Sequence, residues 1–336
     1  MAEGRGTLAD VAAAAGVSVP TVSKVLNGKA DVSTSTRQKV FRAIDSTGYL
    51  TKRTLGRNRS GVLELLIEGV DSPWAIELIR GAEAAAAGRH AAVVVTSTVH
   101  ATFSLSKWLD AVRARRSDGV IAVIPSEGEG YGDALHRLRC PVVVIDPTAA
   151  GASDFASIGA TNWAGGFDAT TRLLELGHRR IGLIAGPDRL GCSLQRLEGY
   201  AAALRRAGIP FDDDLVAAEE FRMSGGHRAA ERLLDLAERP SAIFASSDQQ
   251  AAGLYEAARE RGIRIPENLS VVGFDDTALS KLLSPALTTV HQPLTEMAAE
   301  AVRLVVELAT EPEWHGARRL ELATHLVERS SAIPFR

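Results

Sequence analysis

Cysteine is nearly absent from this chain, with two residues in 336, Cys140 and Cys192. Two thiols cannot build a metal cage by themselves, and such sparse use gives no sign of an oxidising compartment. Long apolar runs are missing as well. No stretch approaches the roughly 18 apolar residues that span a bilayer, and the opening residues MAEGRGTLADV lack the basic-then-apolar order of a secretion signal. No membrane partner is expected, and the expected location is the cytoplasm. Catalytic signatures are likewise wanting. There is no P-loop, HExxH or GxSxG pattern, and the glycines of Glu127-Gly128-Glu129-Gly130-Tyr131-Gly132 stand among acidic neighbours that would repel phosphate. Histidines occur singly; His178, in LGHRRIG, falls at a helix-to-strand corner where a structural role is expected. The chain is therefore expected to hold no cofactor or metal and not to be an enzyme.

What is present is ample core-forming material. The length exceeds one ordinary hydrophobic core, and 46% hydrophobic with 24% charged residues is the balance of a globular protein of two or three domains. The net charge of -3 conceals an asymmetry. Residues 1–60 carry 10 Lys/Arg and 4 Asp/Glu, a balance of +6; subtraction from the totals of 38 and 41 leaves 28 and 37, or -9, for the remainder. A basic head on an acidic body suits a protein whose head alone meets a polyanion, although a merely solvated basic face has the same composition.

The head has its own logic. Thr7 is suited to cap a helix in which Leu8, Val11 and Ala12 share one face. Gly16 supplies the positive φ of a sharp turn. Ser18 then caps a second helix with Pro20 in its first turn, where a missing N–H costs little. Val22, Val25 and Leu26 form the inner stripe of that helix and leave Val19, Pro20, Thr21, Ser23 and Lys24 outward. A third helix is predicted over 33–47, burying Val40, Phe41 and Ile44. Three short helices around one small core make a helix-turn-helix module.

Ala13-Gly16-Val17-Ser18, Thr21-Val22-Ser23, Val25-Leu26-Asn27-Gly28, Val32-Ser33, Thr36-Arg37, Val40 and Gly48-Tyr49 resemble the head of the lac repressor/galactose repressor family of bacterial transcription regulators. The resemblance implies that the second helix enters the major groove of operator DNA. It places Val19, Pro20 and Lys24 at base edges, the apolar pair against thymine methyls and Lys24 on guanine O6/N7. It also assigns Ser18, Thr21, Ser23, Asn27, Thr36 and Arg37 to phosphates. A symmetric homodimer would prefer a palindromic operator, and the absence of a trailing leucine heptad after ELATHLVER favours a dimer over a tetramer. The family's linker forms a hinge helix that wedges a leucine into the minor groove. The linker here, LTKRTLGRNRSG, departs from that pattern. It lacks Pro-Asn after the tyrosine, is about three residues shorter, and has in Leu55 the only leucine placed to act as the wedge, beside the poor helix former Gly56.

From Gly61 onward, short apolar runs (VLELLIEG, AAVVVTST, GVIAVIP, PVVVID, then RRIGLIAG, SAIFASS, LSVVGFDD) alternate with helical segments. That pattern predicts parallel sheets covered on both faces, in two sets separated near 156–162. The expected fold is an N-terminal all-α helix-turn-helix head plus an α/β two-lobed body of parallel sheets, similar to periplasmic binding proteins. The expected boundaries are 1–48 for the head, 49–60 for the hinge and 61–336 for the body, with one lobe near 61–160 and 293–320 and the other near 161–290 and 321–336.

Ligands of such sheets bind beyond the carboxyl ends of the strands, hence between the lobes. The family resemblance extends through Asp71-Ser72-Pro73-Trp74, Val144-Ile145-Asp146, Gly186-Pro187, Gln195-Arg196-Leu197-Glu198-Gly199-Tyr200, Ser246-Ser247-Asp248 and Val271-Val272-Gly273-Phe274-Asp275-Asp276. It implies a small sugar effector. Carboxylates accept from sugar hydroxyls, arginine donates in a fork and an aromatic ring covers the C–H face. The candidates are Asp71, Trp74, Asp146, Arg196, Phe221, Asp248, Asp275 and Gln292, with Trp163 a lesser one. Alternatives stay open: an Asx turn for Asp275, a helix cap for Asp248 and a hydrophobic staple for Trp74. The function implied is a sugar-modulated repressor. A sugar-binding or transport module and a nucleobase-responsive repressor are the other readings.

Overall fold

The computed structural model describes residues 7–26, 36, 39–40, 43, 60–123, 130–147, 155–310 and 318–335. Asn27, Arg37 and Leu55, the linker before Ser60 and most of the expected third helix lie outside the described residues. The chain divides into two compact units, one of residues 1–60 with 310–312 and one of residues 61–309 with 313–336.

In the first unit, helix α1 (Leu8–Ala15) opens with a reciprocal cap: the Asp10 backbone N–H donates to Thr7 Oγ1, and the Thr7 N–H donates to Asp10 Oδ2. Gly16, at φ 65°, ends the helix and donates its N–H to the carbonyls of Ala12 and Ala13. The chain axis then turns by 96° into α2 (Val19–Leu26), within the range of a helix-turn-helix. Ser18 Oγ accepts from the Thr21 N–H and so caps α2. Val11, Ala12, Val22 and Val25 form a core closed by helical Val40 and Ala43, with Leu8, Ala15 and Val17 at its border.

The second unit contains two six-stranded sheets. The first is built from β1 (Val62–Ile67), β2 (Ala92–Ser97), β3 (Gly119–Ala122), β4 (Val142–Ile145), β5 (Ala156–Ala160) and β11 (Arg319–Leu322), in the order β11-β5-β4-β3-β1-β2 and parallel throughout. The second is built from β6 (Ile181–Ala185), β7 (Val216–Ala218), β8 (Ala242–Ala245), β9 (Ser270–Asp275), β10 (Thr288–His291) and β12 (His325–Val327), in the order β12-β10-β9-β8-β6-β7. Among the described residues only the β10–β12 pair is antiparallel. The run ELATHLVER, read as one strand, is shared between the sheets: β11 and β12 belong to different lobes, so the boundary expected at 320–321 falls inside β11. The segment read as a break from Ala156 is largely strand β5, and the crossing itself begins at Thr161.

The central strands are buried along their length, which requires helices on both faces. In the first lobe, Leu65 and Leu66 point to opposite sides. Leu65 packs with α3 (Pro73–Ala87) and α10 (Leu294–Thr310), and Leu66 with α4 (Leu105–Arg115) and α5 (Tyr131–His136). In the second lobe, Ile243 and Val271 meet α8 (Met223–Leu234) and α9 (Asp248–Glu260), whereas Phe244 and Phe274 meet α6 (Asn162–Glu175) and α7 (Gly191–Arg206). The chain passes between the lobes at Thr161, at Gln292–Pro293 and at Ala323–Thr324. Two of these crossings are tied together: the Thr324 N–H donates to Thr161 Oγ1 at 2.9 Å, and the two hydroxyls are 2.9 Å apart.

Candidate ligand cavity and nucleic-acid face

A cavity of about 180 Å3 lies between the lobes, at the carboxyl ends of both sheets. Six expected residues line it: Asp71, Trp74, Asp146, Arg196, Phe221 and Asp275. Local structure explains each position. Ser72 caps α3 by accepting from the Ala75 N–H, with Pro73 in the first turn, so Trp74 projects from a fixed helix start. Asp146 follows β4, at φ 47°, and Asp275 ends β9, at φ 109°. Non-glycine residues at positive φ are uncommon and are retained where surrounding structure holds them, and here two of them face one cavity. The Phe221 ring lies on Gly186, where a Cβ would come within 2.1 Å of it; only glycine admits that approach.

Arg196 is the hub. Its Nε donates to Asn162 Oδ1 at 2.9 Å, Nη1 to the Ser246 carbonyl at 2.6 Å and Nη2 to Gln292 Oε1 at 3.2 Å. Its guanidinium lies over the Phe274 ring at 3.6 Å, with the Phe221 ring at 5.6 Å, and Nη1 is 3.8 Å from Asp275 Oδ1. Three of five N–H donors are thus committed, which fixes the fork while leaving an edge toward the cavity. Burial raises the Asp275 carboxyl well above the usual carboxylate range; Arg196 opposes this, and Asp248 and Asp146 add to it. Burial also raises Asp146, against the Arg196 charge and the Gln292 hydrogen bond. A hydroxyl-rich ligand can meet such carboxyl groups as either donor or acceptor.

Two expected contacts are not on the wall. Asp248 is buried and its carboxylate is spent internally: Oδ2 accepts from the Thr277 N–H and hydroxyl at 2.7 and 3.0 Å, and Oδ1 from Thr289 at 2.7 Å. It anchors the loop after Asp275, and Ser247 rather than Asp248 caps α9. Gln292 is also buried and acts behind the wall, between Arg196 and Asp146 Oδ2 at 3.2 Å. Trp163 stacks on Phe167 at 5.3 Å on an exposed surface, away from the cavity.

The wall also holds Arg189, Cys192, Glu220, Arg222 and Gln249, which sequence reasoning missed. Cys192 lies one helical turn before Arg196, and that i, i+4 spacing was a usable signal. Burial pushes its thiol up to about 11, which disfavours the thiolate. Glu220 and Arg222 flank Phe221, and Gln249 follows Asp248.

In the head, Val19 is 41% exposed, and Ser18, Pro20 and Lys24 are exposed. Thr21, Ser23 and Thr36 are half-buried. The first turn of α2 thus presents the short, mixed apolar and polar surface expected of a major-groove helix. Among the described residues no single helix is long and apolar enough to cross a membrane.

Comparison with known proteins agrees with this geometry. A family described as bacterial regulatory proteins, lacI family, matches residues 7–52, and a periplasmic binding protein-like domain matches residues 170–332. The HTH-type transcriptional repressor CytR of Escherichia coli (strain K12) is 33% identical over 308 residues, 91% of this chain and 90% of that protein. The transcriptional regulator CelR, solved as a cellobiose complex, is 32% identical with a TM-score of 0.76 over 97% of this chain and all of that one. The lac repressor dimer, solved with operator and the anti-inducer ONPF, is 26% identical with a TM-score of 0.71 over 97% and 99% of the two chains. With a helix-turn-helix at its start, a two-lobed body behind it and relatives that span nearly its whole length, this chain belongs to the lacI family of bacterial transcription regulators.

Proposed function

We propose that the chain is a repressor of sugar-utilisation genes whose affinity for operator DNA changes when a small sugar fills the cavity between its lobes. The carrying observation is the Asp146–Arg196–Asp275 arrangement, with acceptors and an arginine edge set between Trp74 and Phe221 where the two lobes meet. Polar groups there match hydroxyls, and the rings cover the C–H face of a sugar. A cavity of about 180 Å3 is below the roughly 300–1,000 Å3 of drug-sized sites, as suits a small ligand. The relative solved with cellobiose supports the ligand class, and the operator-bound lac repressor dimer supports a homodimer on a palindromic operator.

In this reading Val19, Pro20 and Lys24 meet base edges, and Ser18, Thr21, Ser23, Asn27, Thr36 and Arg37 hold phosphates. Leu55 is the candidate minor-groove wedge. An operator-binding regulator works where the chromosome is, hence in the cytoplasm, and it needs no turnover. Sugar and operator influence one another only through differential affinity for the lobe arrangements, and that influence is reciprocal. The test is a sugar titration of the full-length protein with and without a DNA fragment from its own upstream region. Sugar affinity is expected to change at least fivefold when operator is present. Equal affinities, or measurable turnover of a sugar panel, would overturn the proposal.

A further inference from the structure

We infer that the body carries a second DNA surface: the edge of its first sheet where the strands begin binds the phosphate backbone of the duplex held by the head. This rests on the operator-binding reading above and extends it beyond the head.

Register defines the edge. The Gly61 carbonyl accepts from the Ala92 N–H, the Val62 carbonyl from Asp118 and the Pro141 carbonyl from Val120, so β1, β2, β3 and β4 start side by side. Arg89 and His90 precede β2, Arg116 precedes β3, and Arg137 and Arg139 precede β4; all five are exposed. Arg116, Arg137 and Arg139 have no ion pair among the described residues. The nearby carboxylates are engaged: Glu64 is buried against Arg115 and Ser117, and Asp118 accepts from the Gly61 N–H at 2.9 Å. Positive charge is thus gathered at one edge of a body with 28 Lys/Arg against 37 Asp/Glu.

Arginine at a helix end also suits the helix dipole, and that alone would make an edge basic. The second lobe shows the ordinary arrangement. At its corresponding edge Arg180 pairs with Asp212 at 3.2 Å and Arg261 with Asp235 at 2.9 Å. The backbone distinguishes the lobes as well. Helices α6 and α9 are followed by Gly177 and Gly262 at φ 90° and 65°, the residue type that takes this conformation freely. After α3 and α4 the positive φ falls on His90 and Arg116, at 55° and 54°. Side chains are uncommon there and are kept where they serve something else.

The occupant follows from the linker. Residues 49–60, with Lys52, Arg53, Arg57 and Arg59, enter β1 at this same edge, so the basic run continues onto the body. A duplex bound by the head is therefore tethered to the edge at high effective concentration, by twelve residues that span at most about 40 Å. Guanidinium forks match phosphate oxygens, and such contacts carry no sequence information.

The experiment is the salt dependence of DNA binding by the full-length protein, on the upstream fragment and on a random-sequence duplex of equal length. Each phosphate contact contributes about 0.9 to the slope of log affinity against log salt. Arg116→Gly/Arg137→Gln/Arg139→Gln should lower that slope by about 2–3 per subunit and weaken binding about tenfold or more, equally on both duplexes. Glycine suits the turn at Arg116, so the urea midpoint should not fall. Arg137→Gln/Arg139→Gln, which leaves that turn alone, should lower the slope by about 2 per subunit. Arg205→Gln/Arg206→Gln/Arg264→Gln removes equal charge from exposed positions of the second lobe and should change the slope by less than about 0.5. Unchanged slopes in the edge variants, or an equal loss in the second-lobe variant, would overturn the inference and leave the operator reading standing. If the wild type retards neither duplex at low salt, the operator reading falls, and the inference with it.

Discussion

Gln292 ties the two lobes together through Asp146: its Nε2 donates to Asp146 Oδ2 at 3.2 Å while its Oε1 accepts from Arg196 Nη2 at the same distance. Asp146 directly follows a strand of the first lobe, Arg196 belongs to a helix of the second, and Gln292 lies in the crossing between them. A ligand that moves either partner therefore pulls on a crossing segment. Gln292→Glu would replace the donor with a carboxylate facing Asp146. Losing a buried hydrogen bond of this kind costs about 1–3 kcal/mol, so sugar affinity is expected to fall roughly 5- to 150-fold. Operator affinity without sugar should stay within a few-fold. Calorimetric titration and gel retardation of the same preparation separate the two effects, and an unchanged sugar affinity would remove Gln292 from the binding apparatus.

Lys24 is exposed on the outer side of α2, away from the Val22 and Val25 stripe. Lys24→Ala should leave the body's thermal transition in place while weakening operator binding by about 1–3 kcal/mol, the cost of one lost base contact. The loss should be larger on the preferred fragment than on nonspecific DNA. A uniform loss on all sequences, with a shallower salt dependence, would reassign Lys24 to a phosphate.

What could be read in the sequence follows from how local each signal is. The turn at Gly16 and the stripe of Val22 and Val25 depend on neighbours a few residues away, and they appear as expected. Valine-rich strands buried on both faces advertise themselves. Strand β7 is three residues long, and β5, ASIGA, carries serine and glycine, so neither stood out. Asp248 looked like a cavity residue because it follows a strand and two serines. Its occupation by Thr277 and Thr289, 29 and 41 residues away, emerges only in three dimensions. The Asp71–Arg222 pair across the cavity is equally invisible to spacing.

Glycines set the distance between α6 and α7. A Cβ on Gly166 would lie 2.4 Å from the Arg196 carbonyl oxygen and 2.9 Å from its Cα, both backbone atoms that cannot step aside cheaply. Gly166→Ala should therefore force the helices apart at the very residue that organises the cavity. Overpacking of this kind costs about 1–3 kcal/mol. The body's unfolding midpoint in urea should fall accordingly, and sugar affinity should fall with it. If stability dropped while the affinity held, the position of Arg196 would not depend on this helix contact.

Asp248 gives the second lobe a defined pH response. Burial, opposed by the hydrogen bonds of Thr289 and Thr277, pushes its carboxyl up to about 6 from an ordinary 3.8. A folded pKa above the unfolded one means that the fold prefers the protonated acid. Its stabilising contribution is complete below about pH 4 and is lost as pH rises through 6. At 1.36 kcal/mol per unit, the loss is on the order of 2–3 kcal/mol. Asparagine keeps one oxygen for Thr277 and offers its amide to the Thr289 hydroxyl, so Asp248→Asn retains the loop anchor without the titration. Asp275, whose carboxyl is raised partly by Asp248, should ionise more easily in the variant, an effect of the same sign. Asp276 titrates lower, because Arg329 and His291 together outweigh its burial, and it does not enter this window. Between pH 5 and pH 7.5, urea denaturation should therefore show wild type losing stability relative to Asp248→Asn. Parallel profiles would mean that Asp248 stays ionised across the range, and that its three hydrogen bonds rather than its burial set its charge.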